Sequence, residues 1–385
     1  MTRAIINLSG FQAGEYEPQL EYHSFVPKEI NQHWVIADPE IQALLDEANR
    51  TLGELNAYSQ LIPNVDFFIS MHITKEATTS SRIEGTQTNM EEALIDKKDV
   101  DPEKRDDWQE VQNYIRAMHE AIDELERLPL SNRLLKSTHR TLLQGVRGKH
   151  KQPGEFRISQ NWIGTTLKHA SFVPPHHERL PDLMSDLEKF IHNDQFVIPH
   201  LVKIAMAHYQ FETVHPFLDG NGRLGRLMIT LYLVSFNLLA KPSLYLSDFF
   251  ERHKGEYYDR LMAVRTTNNM RAWILFFLEG VQETASTSIQ VFKYILELKE
   301  TIEREKLPRL HARKQGNAAK LMLDLYQRPI TTINQVSEML DVRHNTAAAL
   351  VKDFEQMEIL REISHARRNR LYIFEPYVRL FMGDE

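Results

Sequence analysis

Between residues 215 and 226 the chain reads HPFLDGNGRLGR, placing a histidine, an acid, an asparagine, three glycines and two arginines within twelve residues. The flanking segments LVKIAMAHYQFETV and LMITLYLVSFNLLA are apolar and helical in spacing, so the run is a loop opening into the start of a helix. Gly220, Gly222 and Gly225 permit backbone angles in which successive N–H groups converge on one point. The free amides and positive dipole end of the second helix reinforce that point. Such a seam binds anions, phosphate above all. Arg223 and Arg226, three apart, share a face of the new helix, and two forked guanidinium groups suit a polyphosphate. Asp219 at the edge of the loop can carry Mg²⁺, which takes one or two carboxylates plus phosphate oxygens. His215, at the opposite lip, can take a proton from an attacking hydroxyl near neutral pH. Phe217, an apolar residue in a polar run, anchors the loop in the core.

The elements that must position this loop are mostly helical. From 38 to about 85 the spacing is that of a helix, with Ile41, Leu44, Leu45 and Ala48 on one face. Gly85 suits a helix stop, and TNME, Thr88 to Glu91, reads as a capping box for the next helix. A helix follows over 107–128, stopped by Pro129, and LSNRLLKSTHRTLL is another. Gly148, Pro153 and Gly154 then break the pattern, and Phe156, Ile158, Trp162 and Ile163 suggest short strands of a small hairpin. Helices resume near Leu180 and run, with breaks, to about Lys306. The first thirty residues are irregular, with Tyr22, Phe25 and Pro27 suggesting an arm laid over something else. Beyond a basic, proline- and glycine-interrupted boundary at 306–317, three short helices and a hairpin spell a winged helix-turn-helix pattern. The expected fold class is therefore mainly α: a helical domain with a small β-hairpin flap, plus a C-terminal winged helix-turn-helix domain.

Composition narrows the chemistry. The 385 residues suggest two or three domains. The absence of cysteine excludes disulfides, thiolate metal sites and cysteine nucleophiles. A formal charge of −7 gives no global footprint for nucleic acid. No secretory signal opens the chain, and Leu227 to Ala240 is too short to span a bilayer comfortably. The expectation is a cytoplasmic protein with no membrane partner. No G-x-x-x-x-G-K-[ST] run occurs, which disfavours P-loop phosphoryl transfer.

The twelve-residue run resembles, at every defining position, the Fic-family signature H-x-F-x-[DE]-G-N-G-R-x-x-R. Proteins of that family transfer AMP from ATP to a hydroxyl of a target protein, releasing pyrophosphate. The resemblance implies ATP and Mg²⁺ as cofactors and a protein target bearing a Ser, Thr or Tyr hydroxyl. It makes His215 the general base and Asp219 the Mg²⁺ ligand. Gly220, Asn221 and Gly222 would cradle the phosphates, with Arg223, Leu224, Gly225 and Arg226 completing the nucleotide-binding run. The hairpin near 154–175 lies where the family carries a flap that clamps the target by strand pairing, implicating Trp162, Ile163 and Gly164. SDFFERHKGEYYDRL resembles the segment whose tyrosines line the nucleotide pocket, which points to Tyr257 and Tyr258; plain helix packing is the other reading of both. Where many relatives have asparagine, this chain has Arg265. The implied division is an N-terminal arm and helical region over 1–100, a catalytic domain over 101–306 and the winged-helix domain over 310–385.

A second run, SSRIEGT, admits two readings. Glu84 sits where the helix dipole disfavours a negative charge and reads alone as a solvated surface residue. Yet Ser80, Glu84 and Gly85 match the family's inhibitory motif [ST]-x-x-x-E-[GN], which implies a helix whose Glu84 pairs with Arg226 and misplaces ATP. The same glutamate could instead position water to remove AMP, so de-adenylylation, or another nucleotidyl or phosphoryl transfer, is an alternative. A non-catalytic DNA-binding regulator is a third. The presumed recognition helix carries one lysine against two acids, while the wing is basic through Arg361, Arg367, Arg368 and Arg370. Nucleic acid is thus a possible partner, not the favoured one, beside protein docking and a homodimer.

Overall fold

The computed structural model describes residues 5–61, 65–364 and 370–382. The N-terminal arm is more ordered than its sequence suggests. Strand β1 (Ile5–Asn7) pairs in parallel with β4 (His33–Val35), and β2 (Gly14–Pro18) pairs antiparallel with β3 (His23–Pro27). It does lie over something: Phe25 is buried, and its N–H donates to Val173 O beside the flap.

The span expected as one helical stretch divides into α1 (Pro39–Leu61) and α2 (Val65–Ile83). Gly85, at φ +101°, ends the second. The capping box of α3 (Met90–Leu94) sits one residue later than expected, on Asn89 and Glu92, because Asn89 Oδ1 accepts the Glu92 N–H and Glu92 answers on the Asn89 N–H. Helices α4 (Arg105–Leu125) and α5 (Asn132–Leu142) follow. The hairpin is shorter and later than the sequence suggested. It comprises β5 (Ile163–Gly164) and β6 (Ala170–Phe172) with an irregular register at Ile163/Gly164. Phe156 and Ile158 are not in strands, since the backbone there is turned toward the 215–220 loop, where the Arg157 N–H donates to Pro216 O.

Helix α6 (Leu180–His192) leads to the central pair, α7 (His200–Val214) and α8 (Asn221–Ser235). Every residue of α7 from Leu201 to Val214 is buried, as expected of a helix apolar nearly all round. Several of its buried polar groups are bonded. His208 meets Gly225 O at 3.0 Å and Tyr257 Oη at 2.9 Å, and Lys203 donates to Asn193 O. Helices α9 (Ser247–Arg252), α10 (Lys254–Thr267) and the long α11 (Met270–Thr301) close around them, with Trp273 of α11 donating to Ala205 O of α7.

The C-terminal unit contains α12 (Ala312–Gln327), β7 (Ile330–Thr331), α13 (Ile333–Leu340), α14 (His344–Gln356), β8 (Arg361–Glu362), β9 (Tyr372–Ile373) and α15 (Glu375–Met382). Its strands form a sheet in the order β7-β9-β8. Neither β7 nor α15 was read from the sequence. Arg361 pairs with Glu375 at 2.9 Å and Arg370 with Glu362 at 3.1 Å, so each meets a carboxylate; Arg367 and Arg368 lie outside the described residues. This unit is packed on α2: Phe68 meets Tyr326 and Tyr377 edge-on, and His72 meets Phe381 with 5.0 Å between ring centroids. Phe68, His72, Glu76 and Ser80 recur every four residues and so share one side of α2. Among the described residues, no helix is long and apolar enough to cross a membrane.

Candidate functional site

The apolar helices α7 and α8 must be joined by a loop that reverses the chain over six residues. His215 takes the turn in the left-handed region, at φ +48°, and Gly220 takes the second at φ +76°. A non-glycine residue in that region costs about 1–2 kcal/mol, and several groups hold the loop against it. Phe217 is fully buried and stacked on His139 at 3.8 Å, the expected anchor. A side chain so completely buried is worth about 3–5 kcal/mol over alanine. His139 accepts the Gly154 N–H at Nδ1, so its Nε2 carries the hydrogen and donates to Asp219 O at 2.9 Å.

Two further organisers escaped the sequence reading. Arg157 is 2% exposed. It donates to His215 O, Ser159 O, Pro175 O and Val214 O, while its own N–H meets Pro216 O. Asn161 donates to both His215 O and Phe217 O. Arg157→Ala strands several buried carbonyls, each costing about 1–3 kcal/mol when left unpaired. Urea titration of that variant should therefore show a loss of at least about 3 kcal/mol.

Asn221 has a different task from the one expected. Its side chain is buried, accepts the Phe217 N–H at 2.9 Å and donates to Phe217 O at 2.8 Å. It staples the loop, so that only the backbone of Gly220, Asn221 and Gly222 is left to meet the anion expected there. Leu224 is fully buried and contributes packing only. Gly225 faces α7 rather than the opening, for a Cβ there would overlap Glu212 Oε1.

His215 is held with Nδ1 3.3 Å from Glu212 O. A carbonyl can only accept, so the hydrogen is on Nδ1 and Nε2 is free to receive a proton. Burial, with Arg265 and Arg157 adding positive charge, lowers the imidazole pKa to about 4. The ring is thus neutral and base-ready at neutral pH. Its side chain retains 19% exposure. Asp219 is 39% exposed, with Arg223 at 3.6 Å.

The two motif arginines are each gripped by a different helix. Arg223 donates to Glu110 of α4 at 3.0 Å. Arg226 donates from Nε to Ser80 Oγ at 2.9 Å, and from Nη2 to Ser80 O at 2.9 Å and Glu84 Oε1 at 2.6 Å. Glu84 is thus an ion-pair partner rather than a solvated surface residue. Burial raises its pKa, but the charge and hydrogen bond of Arg226, aided by Arg223 and His215, bring the carboxyl below its ordinary range. Its Oε1 lies against the first turn of α8, and a Cβ on Gly222 would overlap it. A carboxylate therefore occupies the place in front of the helix N-terminus where the sequence put a phosphate.

The tyrosines separate. Tyr257 is 1% exposed, bonded to His208 and stacked on Phe250 at 4.5 Å. It is a core residue and cannot form the wall of an open pocket, because its hydroxyl and ring are both spent on packing. Tyr258 is 42% exposed, and burial together with nearby Glu84 pushes its hydroxyl pKa up to about 12. Arg265 is buried, donates to Thr213 Oγ1 and Glu212 O, and stacks over Phe172 of β6 at 3.8 Å. It ties α10, the end of α7 and the flap together. On the flap, Trp162 is 41% exposed just before β5, and Gly164 takes φ +128° within it.

Residues 42–123 match the Fic/DOC family N-terminal model, and residues 129–233 the Fic/DOC family model. The chain is similar to the protein adenylyltransferase Fic of Aedes aegypti, 33% identical over 34% of this chain and 24% of that protein. The corresponding protein of Culex quinquefasciatus is 32% identical over the same shares. The matched stretch thus spans about a quarter of those relatives' length. Among solved structures, a Fic family protein from Desulfovibrio desulfuricans G20 has a TM-score of 0.54 at 21% identity, covering 88% of this chain and 96% of that one. Fic-1 of C. elegans has a TM-score of 0.51 at 20% identity, covering 68% and 75%. These structures share the fold.

Proposed function

Taking the chain as one that carries Fic/DOC-family domains, we propose that it transfers AMP from ATP to a Ser, Thr or Tyr hydroxyl of a protein, itself included, and that Glu84 restrains the reaction. The observation that carries this reading is the Glu84 carboxylate seated on Arg226 at the start of α8, an anion held where a phosphate belongs. Tyr258 lies beside it, and His215 stands at the other lip with Nε2 free.

The target hydroxyl surrenders its proton to His215 Nε2 while its oxygen bonds to the α-phosphorus. The bond from that phosphorus to the bridging oxygen breaks, and pyrophosphate leaves. Asp219, exposed and with Arg223 alongside it, fits the single carboxylate that Mg²⁺ needs beside phosphate oxygens. When bound, that ion neutralises phosphate charge. The backbone around Gly220 and Gly222, with Arg223 and Arg226, would hold the phosphates once Glu84 withdraws. Trp162, Ile163 and Gly164 would receive an extended target segment along β5.

The test is positional labelling. Glu84→Gly protein incubated with Mg²⁺ and ATP should acquire label from the α-phosphate and none from the γ-phosphate. Label arriving from the γ-position would make the reaction kinase-like and overturn the proposal.

A further inference from the structure

We propose that Glu212 is the positioning residue of the base: its carboxylate stands behind the Nδ1 edge of His215 and supports the ring as Nε2 takes up the target's proton. This rests on the transfer reading above. Glu212 Oε2 is 3.8 Å from His215 Nδ1, one turn back along α7. The backbone carbonyl of the same residue holds Nδ1 at 3.3 Å, so a single residue sets both the tautomer and the charge behind it. Its other oxygen, Oε1, is buried without a hydrogen-bond partner, an expensive arrangement for a carboxyl group. The chain makes room for it, since any side chain at Gly225 would overlap that oxygen.

The need for such a group follows from the charges around the ring. Arg265 and Arg157 both oppose protonation of His215. An imidazolium formed there needs a compensating negative charge in a site with little water. The groups facing the Glu212 carboxyl, besides His215, are Arg226 on α8, Arg265, Tyr257 and Tyr258 on α10, and Glu84 beyond α2. Burial raises its pKa to about 7; Arg226 and Arg265 act against that shift, and Glu84 with it. The carboxyl is therefore about half ionised at neutral pH, becomes fully charged as pH rises, and loses its charge as pH falls. Withdrawal of Glu84 removes a neighbouring negative charge and eases the ionisation of Glu212.

This gives a signature that packing alone would not. A base with a pKa near 4 has no acid limb at pH 6, whereas a base that depends on Glu212 does. In the Glu84→Gly background, kcat should fall as pH drops from about 7 toward the ordinary carboxylate range. Adding Glu212→Gln should remove that limb and lower kcat roughly ten- to a hundredfold, with KM for ATP unchanged. Gly225→Ala, which displaces the carboxylate without deleting it, should reproduce the loss. A second readout needs no turnover. The His215 ring signal in NMR, identified by its absence in His215→Ala, should show a pH step in the parent that vanishes in Glu212→Gln. A missing step in the parent, a step surviving in Glu212→Gln, or an unchanged kcat in that variant would each overturn the assignment. A parent that transfers no AMP at all would instead sink the transfer reading, with the NMR step still deciding whether the two groups are coupled.

Discussion

In a Glu84→Gly background, His215→Ala should lower AMP transfer by roughly 10²–10⁴-fold, the usual range for removal of a positioned proton acceptor. Nucleotide affinity should hardly change, because the groups proposed to hold the phosphates are the α8 backbone and arginines. The size of the effect follows from how the ring is prepared. It is neutral at neutral pH, hydrogen-bonded only at Nδ1, and presented by a left-handed turn that Arg157 and Asn161 clamp through its own carbonyl. Neither His139 nor His208 can substitute, since both are committed to backbone and tyrosine partners. Single-turnover transfer from α-labelled ATP, with nucleotide binding measured separately, gives both halves of the result.

Glu84→Gly alone should raise transfer, including self-modification, by about a hundredfold, the scale on which a 1 Å misplacement of a reacting group is felt. Arg226 presents its Nε and Nη2 to Ser80 and Glu84, and the glutamate oxygen fills the space beside Gly222. A triphosphate must compete for both. The Glu84–Arg226 pair is insensitive to pH across the neutral range. The carboxyl's pKa is depressed, so the ion pair is intact above the ordinary carboxylate value and fails only as pH falls through the lower, folded one. Equal rates for wild type and Glu84→Gly would mean that the pair is ornamental to catalysis.

Much of this site was readable in the chain because its signals are local. A loop between two apolar helices and an aromatic anchor at Phe217 follow from residue type at fixed spacing, whereas the link from Glu84 to Arg226 came only from the family resemblance. The scaffold was not readable, for physical reasons. Arg157, Asn161 and His139 act on carbonyls over fifty residues away, and no periodicity encodes that. Tyr257 and Tyr258 are adjacent in sequence, yet one turns into the core and the other out, a choice made by His208 and Phe250 rather than by the tyrosines. Strands of two to five residues give no alternation long enough to detect, which is why β1 to β4 were missed and the flap was placed too early. Asn221 shows the remaining gap: sequence located it correctly within the loop but not the direction of its amide.

The seating of the C-terminal unit on α2 has a practical corollary. Shortening the chain after α11 would strip Tyr326, Tyr377 and Phe381 from Phe68 and His72. It would leave wet aromatic surface at one end of the rod whose other end restrains Arg226. The fragment would be no miniature of the parent: any transfer rate it showed would report a helix deprived of its rear bearing, and rates are comparable only between chains that keep this unit.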